Sequence, residues 1–156
     1  ALNVDEAVRR GEVKVFWVGG CNPVLTTLRA ETLEAALVQR GKPVTEALRN
    51  SEGKSIGERV TAVIDALKDG GMFIMAQDIY MTATARHAHA VLPAAQWGEM
   101  NLTSINGERR LRLYQRFVDP PGEATPDWKI MGKFARRLKR LYQKVKTKLK
   151  KNTEKN

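Results

Sequence analysis

Three short apolar runs punctuate the first 95 residues. VKVFWVGG (13–20) is β-branched and aromatic and closes on two glycines, the pattern of a buried strand entering a turn. MFIMAQD (72–78) and AVLPAA (90–95) are of the same kind. After the first run, NPVLTTLRAETLEAALVQRG sets Leu33, Ala36 and Leu37 at helical spacing, with Gly41 where a C-cap would stand. Residues 42–56 are polar, contain Pro43 and Gly53, and predict a surface excursion. SIGERVTAVIDALKDGG predicts a second helix, with Ile56, Val60, Val63, Ile64 and Leu67 as its apolar stripe and Gly70-Gly71 as its stop. MTATARHAHA is alanine-rich and predicts a brief helix.

This order, strand–helix–helix–strand–helix–strand, predicts an α/β fold: a Rossmann-like, open, mainly parallel sheet with helices on both faces. In such sheets ligands sit beyond the carboxyl ends of the strands. Those ends are Gly19-Gly20-Cys21-Asn22-Pro23, Gln77-Asp78 and Leu92-Pro93-Ala94. The last third changes character. NLTSINGERRLRLY carries Asn106-Gly107, a hairpin signal. VDPPGEATPDW is a rigid loop, and its Thr125-Pro126-Asp127 supplies a cap, a first-turn proline and an early acid for a final helix. That helix has Trp128, Met131, Phe134, Ala135, Leu138, Leu141, Tyr142 and Val145 on one side.

Length and charge alter this picture only at the end of the chain. At 156 residues the chain is long enough to bury a core without disulfides or metals. The net charge of +10 comes from 27 Lys/Arg against 17 Asp/Glu. Eleven of those bases and one acid, Glu154, lie in 133–156, which leaves 16 of each sign in 1–132. The expected organisation is therefore a neutral α/β body over 1–132 and a basic amphipathic helix passing into a disordered lysine-rich tail over 133–156. Attraction to nucleic acid, anionic lipid or an acidic partner is a property of that tail alone. No apolar stretch approaches a membrane span, and ALNVDEAVRR lacks the pattern of a signal peptide, so a soluble chain of open localisation is expected.

Each chemical motif has two readings. The Gly19–Pro23 stretch is either a tight strand-to-helix turn or a phosphate-approaching loop, though it is neither G-x-G-x-x-G nor a P-loop. Asp78 either caps the next helix or accepts hydrogen bonds from a guanine edge or ribose. Cys21, the sole cysteine, is a structural thiol or a nucleophile at a helix start, and no C-x-x-C pair exists. His87 and His89 would stand about 200° apart on a helix and cannot share a metal there. No carboxylate or cysteine lies near them in sequence, so no metal site is expected.

Taken together, QDIYMTATARHAHAVLPAAQWGEMNLTSINGERR and VDPPGEATPDWKI resemble the cofactor-binding core of molybdopterin-dependent oxidoreductases of the dimethyl sulfoxide reductase type. GEMNLTSINGERR and WVGGCNP are most similar to the large subunit of arsenite oxidases. The likeness covers roughly 13–142. It implies an α/β fold and one molybdopterin guanine dinucleotide. Gly20, Cys21, Asn22 and Pro23 would form a cofactor loop. Gln77, Asp78 and Thr82 would face the guanosine end. Leu92, Pro93, Ala94, Glu99, Asn106 and Arg109 would line the same strand ends, with Arg109 suited to a diphosphate.

Several parts of such enzymes are missing from this chain. It has no iron–sulfur cysteine cluster, no substrate-site segment and no second cofactor-binding half. It reads as a fragment that is inactive by itself, with no catalytic residue to assign. The partners implied are the remaining domains or subunits of a molybdoenzyme, or another copy through exposed apolar surface. The alternative is a relic α/β scaffold whose basic tail binds nucleic acid or an acidic partner.

Overall fold

The computed structural model describes the backbone of residues 2–153 and the side chains of 4–147. The chain forms two compact units, Ala1–Pro93 and Ala94–Asn156. The change in charge at 132/133 falls inside the helix Asp127–Thr153.

In the first unit the order is α1 (Leu2–Arg10), β1 (Val15–Gly19), α2 (Pro23–Thr26), α3 (Ala30–Asn50), α4 (Ile56–Lys68), β2 (Phe73–Asp78), a 3-10 turn at Ala85–His87, and β3 (Ala90–Pro93). The strands pair in the order β1-β2-β3, all parallel, so the α/β class is as expected. Parallel neighbours need a crossover, and α2, α3 and α4 supply it between β1 and β2. The core joins Val8 of α1, Val24 of α2, Leu33, Ala36 and Leu37 of α3, and Met72 and Ile74 at β2. The brief helix expected over MTATARHAHA is only the 3-10 turn, and β3 stops at Pro93 rather than 95.

The largest departure is α3. It does not end at Gly41 but runs on to Asn50, so most of the expected excursion over 42–56 is helix, with Val44 buried. Gly41 sits on the buried face, where an added Cβ would lie 3.2 Å from Ile74 Cδ1 and 3.4 Å from His89 Cε1. It is a close-approach glycine inside a helix. Pro43, two residues on, has no N–H to give to the preceding turn. Carbonyls of the same turn also accept from outside the helix. Arg40 O accepts from Met72 N at 2.7 Å, and Gly41 O accepts from His89 Nε2 at 3.1 Å.

His89 completes this clasp. Its Nδ1 accepts from Ile74 N at 2.9 Å, its own N–H donates to Ile74 O at 2.8 Å, and its ring stacks on Phe73 with centroids 5.3 Å apart. A backbone N–H aimed at Nδ1 requires that nitrogen to be bare, so the proton is on Nε2, where Gly41 O receives it.

Helix α4 starts on a capping box between Ser55 and Glu58. None of its residues is buried, and Ile56, Val60, Val63 and Ile64 instead line an apolar groove with Leu48 and Phe73.

The second unit holds the antiparallel pair β4 (Leu102–Ile105) and β5 (Leu111–Tyr114), then α5 (Asp127–Thr153). Ala94 forms a parallel bridge with Thr125. The hairpin lies where Asn106-Gly107 signalled it; Ile105 pairs with Leu111, so the loop has five residues. The cap position of α5 is Pro126 rather than Thr125, since Pro126 O accepts the first helical bond, from Ile130 N at 3.0 Å. The chain is helical up to Thr153, and the end of the expected disordered tail, 154–156, lies outside the described residues. No helix among the described residues is long and apolar enough to cross a membrane.

Burial pushes the His89 imidazole below the ordinary histidine pKa. The folded chain therefore binds this proton less readily than the unfolded chain. Stability contributed by neutral His89 is complete above the unfolded value, about 6.5, and falls as pH drops toward the lower folded value. Denaturant titrations should show this loss between neutral and mildly acidic pH. The His89→Phe variant should be weaker by about 1–3 kcal/mol at neutral pH, since Ile74 N loses its acceptor. Its pH dependence should also be shallower.

Candidate functional site

Parallel register brings the three strand ends together. Gly19 lies beside Gln77, Gln77 beside Leu92, and Asp78 beside Pro93. Gly20 extends the ladder by donating its N–H to Gln77 O at 2.9 Å. It then turns the chain with φ +62°, a conformation that favours glycine. Nothing beyond the chain neighbours lies within 4 Å of an added Cβ at Gly19 or Gly20. The turn thus leaves an open ledge of backbone at the end of β1.

Asn22 fixes the rest of this loop. Its Oδ1 accepts from Thr84 N at 3.1 Å and from Thr84 Oγ1 at 2.7 Å. Thr84 Oγ1 in turn accepts from Val24 N at 3.1 Å. Thr84 is 1% exposed, so this three-point lock is shielded from water and ties the loop after β1 to the loop after β2. Pro23 opens α2, and the Cys21 thiol is exposed.

The remaining residues foreseen in the first unit divide by role. Asp78 is half-buried at the end of β2, and its Oδ1 accepts from Tyr80 N at 3.2 Å. Its Oδ2 has no hydrogen-bond partner among the described residues. Gln77 is 2% exposed and meets the loop through its backbone carbonyl. Thr82 Oγ1 accepts from Ala85 N at 3.2 Å, at the start of the 3-10 turn. Leu92 is half-buried and Pro93 exposed. The sequence reading missed Thr84. Of the two threonines in Thr-x-Thr, the second locks the loop, and only the three-dimensional partnership with Asn22 distinguishes it.

The other foreseen residues belong to the second unit. Ala94 is buried. Glu99 Oε2 accepts from Gln96 N at 2.8 Å, closing a turn. Asn106 builds the hairpin loop: Oδ1 accepts from Glu108 N at 3.2 Å and its carbonyl from Arg109 N at 2.9 Å. Arg109 is exposed and left-handed at φ +58°, the one positive φ at a non-glycine residue among the described residues.

The two histidines have structural partners. His87 Nε2 lies 2.9 Å from Glu34 Oε1, and His89 serves the clasp. The strand-end chemistry is that of an open glycine ledge beside a carboxylate with one oxygen to spare. Such a carboxylate accepts from paired N–H donors on a base edge or from ribose hydroxyls, and a bare backbone turn admits a phosphate.

The family model for molybdopterin oxidoreductase matches residues 55–137. The chain belongs to the molybdopterin oxidoreductase family. Among curated relatives, arsenite oxidase subunit AioA of Herminiimonas arsenicoxydans is 40% identical over 142 residues, 91% of this chain and 17% of the relative. Iodate reductase subunit IdrA of Denitromonas iodatirespirans is 37% identical over 142 residues, 88% of this chain and 15% of the relative. A nitrate reductase of Klebsiella oxytoca is 33% identical over 132 residues, 85% of this chain and 12% of the relative. The chain thus spans less than a fifth of these relatives. Membership of the molybdopterin oxidoreductase family implies a molybdopterin cofactor. The alternative of a relic scaffold with a working tail gains no support from the family match or the relatives.

The residues at the strand ends fit one end of such a cofactor, with room over Gly19 and Gly20 for backbone approach and an accepting carboxylate at Asp78. The lock that shapes this site makes a separate stability test. The Thr84→Val variant removes an acceptor from Val24 N and a donor from Asn22, and should cost about 1–3 kcal/mol by chemical denaturation. In a double-mutant cycle with Asn22→Ala, the coupling should exceed about 0.5 kcal/mol.

Proposed function

We propose that this chain is one cofactor-binding segment of an arsenite-oxidase-like molybdoenzyme, holding the guanosine diphosphate end of a molybdopterin guanine dinucleotide. The observation that carries the reading is the locked loop 20–23 beside Asp78, open over Gly19 and Gly20. Asp78 receives the guanine N–H donors, and the Gly20 turn lets the diphosphate approach the backbone.

When bound, the cofactor supplies two-electron redox chemistry at its metal. This chain's residues bind and orient one end of it. Substrate positioning and electron relay belong to the remaining domains or subunits, so the chain alone has no arsenite-oxidising activity. The iron–sulfur cluster is likewise supplied elsewhere.

Amide-shift titration of the full chain with GDP tests the reading. Saturable shifts should cluster at 19–23 and 77–84. The Asp78→Asn variant should weaken binding roughly tenfold or more, the loss of a charged hydrogen-bond acceptor. Unchanged spectra at millimolar GDP, or equal shifts with ADP, would contradict it.

A further inference from the structure

Helix α5 carries a surface that the cofactor reading does not use. Trp128, Met131, Ala135, Leu138, Tyr142 and Val145 recur every three and four residues and form one stripe. The stripe is not packed: Trp128 is 63% exposed, Leu138 55%, Tyr142 66% and Val145 57%. Every residue from 133 to 147 is exposed. Between Trp128 and Thr153 there are eleven Lys/Arg and no acid. A lone helix gains most of its stability by burying an apolar face, so such a stripe calls for an occupant.

The charge distribution selects among occupants. Lys139 and Lys146 flank the stripe, while Lys133, Arg137, Arg140 and Lys144 lie around the opposite side. A single partner helix would meet only the flanks. A second copy would bring the same eleven bases against themselves. A phosphate backbone has nothing to bury an apolar stripe several turns long. An anionic lipid surface satisfies both features. It accepts the apolar face at the acyl boundary, and its field reaches bases all round the helix, whose diameter is close to the Debye length of about 8–10 Å. Residues 1–132 carry equal numbers of bases and acids, so this attraction acts on α5 alone.

We propose that α5 is an interfacial helix that lays this chain on a bilayer surface rich in anionic phospholipid. Its apolar stripe enters the acyl boundary, and its lysines and arginines lie among the headgroups. The helix lies on the membrane and does not cross it.

The test is co-sedimentation of the full chain with vesicles of phosphatidylcholine, with or without a third of phosphatidylglycerol. Binding should require phosphatidylglycerol and weaken as salt rises. Trp128 emission, taken as the difference from Trp128→Phe, should shift to the blue. The exposed-site variant Leu138→Gln/Leu141→Gln should lose more than about tenfold in affinity while its circular dichroism stays helical. Three outcomes overturn the proposal. They are absence of binding to anionic vesicles, binding that survives the Leu138→Gln/Leu141→Gln change with no Trp128 shift, and displacement from vesicles by an equimolar acidic polypeptide or duplex DNA.

Discussion

The first unit depends on one close contact between a helix and the sheet. Gly41 lets α3 approach Ile74 and His89 closely, and carbonyls of the same turn accept from outside the helix. Met72 N and His89 Nε2 take two of them. Because His89 also accepts from Ile74 N, one imidazole ties α3, the start of β2 and the entry to β3. The clasp holds the start of the sheet, and the lock between Asn22 and Thr84 holds the far end. Together they fix the carboxyl ends of β1 and β2, where the ledge lies.

Much of this was legible in the sequence. The three apolar runs are strands because β-branched and aromatic residues fill a sheet buried by helices, and their order implied parallel pairing. The gathering of Gly20, Gln77, Asp78, Leu92 and Pro93 at one sheet edge followed from that topology alone. What misled was local punctuation. A glycine followed by a proline ordinarily ends a helix, yet here the glycine serves close packing and the stripe resumes at Val44. No local pattern separates a C-cap glycine from one that makes room for a histidine ring. The hairpin was legible, but its loop conformation was not. Asn106 carries an Asx turn rather than the first position of a two-residue loop, and Arg109 takes the left-handed conformation.

His87 and His89 show how a motif can carry structure. Two histidines one residue apart invite a metal reading. Each instead meets a partner distant in sequence, Glu34 for His87 and the α3–β2 contact for His89. Thr84 makes the same point for the site itself, since its partner Asn22 is 62 residues away. The relatives are far longer than this chain. The half-exposed stripe of α4 and its groove are consistent with a segment that has neighbours in such enzymes.

If the clasp and the lock act together, the strand-end ledge belongs to the cooperative structure of the first unit. Native-state amide hydrogen exchange tests it most directly, because Ile74 N belongs to the clasp, Gly20 N to the ledge and Thr84 N to the lock. If all three are held by one cooperative structure, they should exchange with closely similar protection and share the same denaturant dependence. Exchange at Gly20 and Thr84 orders of magnitude faster than at Ile74 would contradict the account, since the site would then open independently of the sheet that carries it.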